Sequence, residues 1–159
     1  MRFCLLDRIL ELEPGVRVTA SRRLRPDEDY LQDHFPRFPV MPGVLMLEAM
    51  YQASAWLVRQ SEGFANSVVL LKEARNIKYA DFVTPGKELV VSAEILKQDT
   101  SLTTLKTQGL IDGNVAVNGR LVLERFNLAD RYPKRRNTDP YLRDELRGVL
   151  KGLLQPAHA

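Results

Sequence analysis

Apolar residues recur with two different periods along this chain, and the change of period outlines the architecture. Residues 3–12 read as a strand, closed by Glu13-Pro14-Gly15, where proline presets φ and glycine permits a positive φ. Val16, Val18 and Ala20 then alternate with Arg17, Thr19 and Ser21, the pattern of a strand with one buried face. The two segments predict a hairpin. Alternation returns in the second half: residues 68–79; Leu89, Val91, Ala93 and Ile95 after a Thr84-Pro85-Gly86 turn; residues 102–111; and Val115, Val117, Gly119, Leu121 and Leu123. Asp112-Gly113-Asn114 is a strong hairpin turn between the last two.

Between these groups lies the one long helix candidate, from Gly43 to about residue 60. It is apolar nearly all round, which predicts a helix wrapped on several sides by other structure. The layout is therefore a hairpin, a loop, a buried helix and an antiparallel meander. It predicts an α+β domain in which a sheet wraps one central helix. The loop, residues 26–42, carries Pro26, Pro36, Pro39 and Pro42, which break regular elements, and Asp27, Glu28 and Asp29, which keep part of it in water. Loops of this length in compact domains are often functional.

Residues 1–126 form the predicted domain, and 127–159 an extension outside it. Pro133 to Arg136 reads as a basic linker. Leu142, Leu146, Val149, Leu150 and Leu153 recur at helical spacing, predicting a short amphipathic helix over 140–154 that docks on this chain or on a copy of it. Gly148 and Gly152 weaken that helix.

Charge sharpens the division. The chain carries a net +3, and from Asn127 onward it has seven Lys/Arg against four Asp/Glu, so the whole excess lies in the extension. A neutral body argues against nucleic-acid binding, which needs a basic surface to meet phosphates. The basic extension is either a solvated tail or a surface for an acidic partner. Cys4, the only cysteine, excludes an intramolecular disulfide and any C-x-x-C metal pair. Charges at Arg2, Asp7 and Arg8 interrupt the N-terminus, so no secretory signal is expected. No apolar run reaches the roughly 18–20 residues of a membrane span. A cytoplasmic protein is expected.

Two residues stand out chemically. Glu48 is a carboxylate in the middle of the apolar helix, where an ionised group must be paired, protonated or placed at a cavity. Gln52, four residues on and on the same face, is positioned to hydrogen-bond it and fix its orientation. The other reading of Glu48 is a side chain reaching solvent or a partner chain. His34 is one of two histidines; the other, His158, is in the terminal tail. His34-Phe35-Pro36 precedes a helix start whose N–H groups near Gly43 and Val44 make a positive pole suited to a polarised carbonyl oxygen. Gly43 allows a ligand close to the backbone. A base, a carboxyl group and a carbonyl-binding helix end suit proton removal next to a carbonyl with loss of water.

These residues, His34-Phe35-Pro36, Pro39, Pro42-Gly43-Val44-Leu45, Glu48-Ala49-Met50 and Gln52, resemble the signature H-F-P-G-x-P-x-x-P-G-V-L-x-x-E-A-M-x-Q of the β-hydroxyacyl-acyl carrier protein dehydratases, of the FabZ type and more distantly the FabA type. The fourteen-residue step from histidine to glutamate also matches. Leu5-Leu6-Asp7-Arg8, Glu13-Pro14-Gly15 and Pro85-Gly86 resemble further family segments, and the likeness covers about residues 3–126. Two positions depart from the pattern: Asp33 and Arg37 stand where the family usually has glycine.

The resemblance implies a hot-dog fold and a homodimer with shared active sites, the histidine from one subunit and the acid from the other, with a trimer of dimers as the larger assembly. It implies dehydration of a (3R)-3-hydroxyacyl thioester to the trans-2-enoyl thioester, in fatty-acid or related lipid biosynthesis. His34 would take the proton from C2 and Glu48 would help expel the C3 hydroxyl. The N–H of Val44, with Gly43, would hold the thioester oxygen, beside Phe35, Pro42 and Gln52. No metal or redox cofactor is implied. The acyl group would arrive on the phosphopantetheine arm of acyl carrier protein. A thioesterase of the same fold would not need the His34-Phe35-Pro36 loop. A non-catalytic carrier-binding subunit is the other alternative, motivated by Asp33, Arg37 and the extension.

Overall fold

The computed structural model describes residues 3–155, so His158 lies outside the described residues. Six strands, β1 (Arg8–Glu13), β2 (Arg17–Arg23), β3 (Val68–Tyr79), β4 (Glu88–Gln98), β5 (Leu102–Ile111) and β6 (Asn114–Phe126), form one antiparallel sheet in the order β1-β2-β4-β5-β6-β3. The helix α1 (Gly43–Ser61) touches every one of them. The sheet is thus curled around the helix, as the pattern predicts.

Alternation explains which face curls inward. In β5, Thr103, Leu105, Thr107, Gly109 and Ile111 are buried at every second position. In β2, Val18 and Ala20 do the same. The apolar ones, Val18, Ala20, Leu105 and Ile111, meet Met46, Ala49, Met50, Ala53, Leu57 and Val58 of α1 in one core. Each such large aliphatic side chain contributes about 1.5–3 kcal/mol on burial. The β5–β6 turn uses positive φ at both Asp112 (50°) and Gly113 (81°), the geometry of a two-residue hairpin turn. Helix α1 ends where Gly63 and Phe64 take positive φ and Phe64 N–H returns to the Arg59 carbonyl at 2.8 Å.

Three features differ from the sequence reading. First, residues 3–7 are not strand. Gln52 takes the Leu5 N–H and donates to the Phe3 carbonyl, so at these two residues the backbone is satisfied by a helix side chain, while the Asp7 N–H reaches the neighbouring strand, at Ser21 O, 2.8 Å away. Second, the meander holds only for β4-β5-β6. Strand β3 pairs with β6 at the far edge, and β4 pairs with β2. Residues 80–87 cross the end of the sheet to make this possible. Ala80 N–H bonds to Ala116 O at 2.8 Å, Met41 N–H to Val83 O at 2.9 Å, and Gly86 N–H to Leu24 O at 2.8 Å. Third, the proline loop contains a 3-10 turn, Asp29–Gln32, just ahead of His34.

The chain after β6 is ordered against the body. A short helix, α2 (Leu128–Arg131), opens with a capping box between Asn127 and Asp130, and a 3-10 turn over Pro133–Arg135 leads to α3 (Thr138–Leu154). Helix α3 runs through both of its glycines and buries Leu150 and Leu153 in the main core. Tertiary packing outweighs their low helix propensity.

Candidate active site

His34 is held by its own loop. Its N–H donates to the Tyr30 carbonyl at 3.0 Å, and its carbonyl accepts the Val40 N–H at 3.0 Å. Ring Nδ1 lies 2.9 Å from the Val40 carbonyl oxygen. A carbonyl can only accept, so Nδ1 carries the hydrogen of the neutral ring and Nε2 keeps its lone pair for an incoming proton. Phe35 stacks on the ring at 4.2 Å between centroids. Phe35 and Phe38 close the tip of the loop with reciprocal backbone bonds of 3.1 and 3.0 Å.

The loop is fastened from below. Leu31, Val40 and Met41 are buried, and Arg22 of β2 reaches Glu28 and, at 3.1 Å, Asp7. The side chains of Arg22 and Glu28 are only 8% and 13% exposed, so this is a largely buried ion pair. The Tyr30 hydroxyl sits beside it. Burial first, then the charge of Glu28, pushes that hydroxyl up to about 12, and it stays neutral.

Glu48 lies on the second turn of α1 and is half-buried. Gln52 Nε2 donates to Glu48 Oε1 at 3.0 Å and to the Phe3 carbonyl at 2.6 Å, while Gln52 Oε1 accepts the Leu5 N–H at 2.8 Å. Because Leu5 N–H can only donate, the amide orientation is fixed, and the group facing Glu48 is a donor. The carboxylate borders a cavity of about 260 Å³ lined by Phe3, Cys4, Glu48, Tyr51, Gln52, Ala55, Trp56, Arg59 and Val149. His34 is not among its walls.

Pro42, Gly43 and Val44 form the helix start. Pro42 is the N-cap, and its carbonyl accepts the N–H groups of Leu45 (2.9 Å) and Met46 (3.3 Å). Among the described residues no acceptor takes the N–H groups of Gly43 and Val44, which are the orphans every helix start leaves. Val44 is 69% exposed. The space that a Cβ would fill at Gly43 is taken by the ring of Tyr79, 3.0 Å away at its nearest carbon. A side chain here would crowd that ring, a packing reason for glycine that the sequence does not disclose.

Sequence reasoning missed several members of the setting. Tyr51, Trp56 and Arg59 share the helix face of Glu48 at three-, eight- and eleven-residue steps, a spacing that could have found them. The guanidinium of Arg59 lies over the Trp56 ring at 4.8 Å, and its Nε–H is shielded from solvent and meets no acceptor among the described residues. Burial draws Arg59 below its ordinary value, opposed by Tyr51 and Glu62. The Val40 carbonyl that orients His34 is backbone and leaves no signature in side-chain identity. Among the described residues no group of three or more His, Cys, Asp and Glu side chains is gathered for a metal ion.

An antiparallel sheet curled round one apolar helix, with a histidine on the approach loop and a carboxylate on the helix, defines a hot-dog-fold protein. Residues 1–124 match the family model of the FabA-like domain, and the chain belongs to that family. It is 36% identical over 119 residues to the 3-hydroxyacyl-[acyl-carrier-protein] dehydratase FabZ of Ruminiclostridium cellulolyticum, covering 75% of this chain and 84% of that one. It is 31% identical over 128 residues to the FabZ of Listeria monocytogenes serotype 4b, covering 80% and 87%. Among solved structures it is similar in fold to the dehydratase heterocomplex ApeI:P of Xenorhabdus doucetiae, with a TM-score of 0.63, 22% identity and coverage of 79% and 84%. It is also similar to the TT0310 protein of Thermus thermophilus, with a TM-score of 0.60, 16% identity and coverage of 75% and 91%.

Proposed function

We propose that the protein removes water from a (3R)-3-hydroxyacyl thioester to give the trans-2-enoyl thioester, the acyl group being delivered on the phosphopantetheine arm of an acyl carrier protein. The observation that carries this reading is the 2.9 Å contact of His34 Nδ1 with the Val40 carbonyl, which leaves Nε2 as a fixed base. Nε2 takes the proton from C2, acidified by the thioester carbonyl. The C2–H electrons form the C2–C3 double bond as the C3–O bond breaks, and Glu48, oriented by Gln52 at Oε1, gives a proton to the departing hydroxyl, which leaves as water; loss of the His34 proton to solvent and reprotonation of Glu48 restore the site. The N–H groups of Val44 and Gly43 hold the carbonyl oxygen as negative charge develops on it. The step needs no electron acceptor and no metal.

His34 does not line the Glu48 cavity of its own chain, which favours a homodimer with the histidine of one subunit serving the carboxylate of the other. Two features support it. Strand β3 is a sheet edge with an unpaired side. Around the site, Phe35, Phe38, Val44, Tyr79 and Phe82 each expose half or more of their surface, an apolar patch fit for burial against a second copy. Arg37, exposed beside this patch, suits an acidic carrier protein. Among the described residues no helix is long and apolar enough to cross a membrane.

Subunit mixing tests both parts. His34→Ala and Glu48→Gln homo-oligomers should each lose turnover of a 3-hydroxybutyryl thioester while keeping a native circular-dichroism spectrum. Mixed and reassorted in equal amounts, they should regain about a quarter of wild-type activity, because half the dimers are hybrids with one intact site. Full activity in either parent variant would overturn the assigned roles, and no recovery on mixing would overturn the shared site.

A further inference from the structure

Helix α3 lies beyond residue 124, where the match to the family model ends. It is nevertheless fixed firmly to the body. Leu150 and Leu153 are buried in the core. At its start the Asp139 carboxylate accepts the Ser67 hydroxyl and the N–H groups of Leu128 and Ala129, the latter two at 2.8 and 3.1 Å. Arg147 lies over the Phe64 ring at 5.2 Å. Val149, next to the buried Leu150, is therefore held in a defined place, and that place is the wall of the cavity beside Glu48.

The rest of that cavity is a stripe of α1, with Phe3 and Cys4 of the N-terminal segment beside it. Glu48 stands at one end and Arg59 at the other, about 16 Å apart along the helix axis. At about 260 Å³ the cavity is at or just below the low end of small-ligand sites, roughly 300–1,000 Å³. A hydrocarbon chain extending from Glu48 would run toward the Arg59 guanidinium, a charged wall that it cannot pair and would take from solvent.

We propose that helix α3 is a specificity element of the site: Val149, in one cavity with Trp56 and Arg59, closes the pocket beside Glu48 and limits the acyl group to short chains. This rests on the dehydratase reading. Val149 is 45% exposed, so replacing it leaves the anchoring Leu150 and Leu153 in place.

The test compares kcat/KM for 3-hydroxybutyryl and 3-hydroxydecanoyl thioesters in the full-length chain. Wild type should favour the shorter substrate. Val149→Ala should lower the short-to-long ratio about tenfold, and Val149→Trp should raise it by a similar factor. A purely structural role for α3 would move both substrates together and leave the ratio alone. Ratios unmoved in both variants, ratios shifted in the same direction, or a wild type that prefers the longer chain would overturn the proposal while leaving the dehydratase reading intact. A wild type that dehydrates neither substrate would remove that reading and this one with it.

Discussion

Gln52 donates to Glu48 across one turn of α1 at 3.0 Å, and it does so from an amide whose other atoms are tied to the backbone at Phe3 and Leu5. The N-terminal segment thus orients the carboxylate through one side chain. Replacing Gln52 with Leu removes all three bonds and frees Glu48 to rotate. Since a displacement on the order of 1 Å at a reacting group can cost about 100-fold, kcat should fall about 10- to 100-fold with KM changed much less. The orphaned N–H of the buried Leu5 should also cost about 1–3 kcal/mol in urea unfolding. Unchanged kcat in Gln52→Leu would show that Glu48 needs no such support.

Arg22 works on the histidine side. It fastens Glu28 and the 3-10 turn whose Tyr30 carbonyl holds the His34 N–H. Arg22→Met keeps the bulk and leaves Glu28 as a largely buried, unpaired charge, which should destabilise the fold by about 3 kcal/mol or more. The double variant Arg22→Met/Glu28→Gln should recover a substantial part of that loss, because it removes the stranded charge. Urea unfolding of the single and double variants checks this; equal stabilities would mean that the pair is not coupled.

The docking of α3 should weaken in acid. Burial alone would raise the Asp139 carboxyl, but the Ser67 hydroxyl, the N–H groups of Leu128 and Ala129 and the charge of Arg143 outweigh it and hold the group below its ordinary value of 3.8. A carboxyl lowered in the folded state contributes stability that is fully present above its unfolded value and lost as pH falls through its folded one. Trp56, the only tryptophan, shares a cavity with Val149, so its emission reports on α3. The stability gap between wild type and Asp139→Asn should be constant from pH 7 down to about 5 and should shrink below about pH 4. A gap that persists unchanged to pH 3 would contradict this.

Much of the fold is readable in the sequence because its signals are local. The Asp112-Gly113 turn, the alternation of β2 and β5 and the apolar run from Gly43 all mark elements within a few residues of where the structure has them. Sheet order is not local. Nothing between Tyr79 and Glu88 announces that the chain crosses the sheet end, since the bonds that route it are backbone bonds to Ala116, Met41 and Leu24, far away in sequence. The same division holds in the site. His34 and Glu48 stand out as candidates, and the Gln52 partner four residues on is legible, because spacing and an out-of-place charge reveal it. The Val40 carbonyl, the Arg22 brace and the Val149 wall are not, because each depends on a tertiary contact that residue type does not encode.

Hydration of a crotonyl thioester, followed by loss of its enoyl absorbance, tests the central claim most directly, with wild type and His34→Ala side by side on both the coenzyme A and the carrier-protein forms. The expected result is turnover by wild type and a loss of about 100- to 10,000-fold in the variant, the range a general base supplies. Equal turnover by the two proteins, or none by wild type on either form, would contradict it.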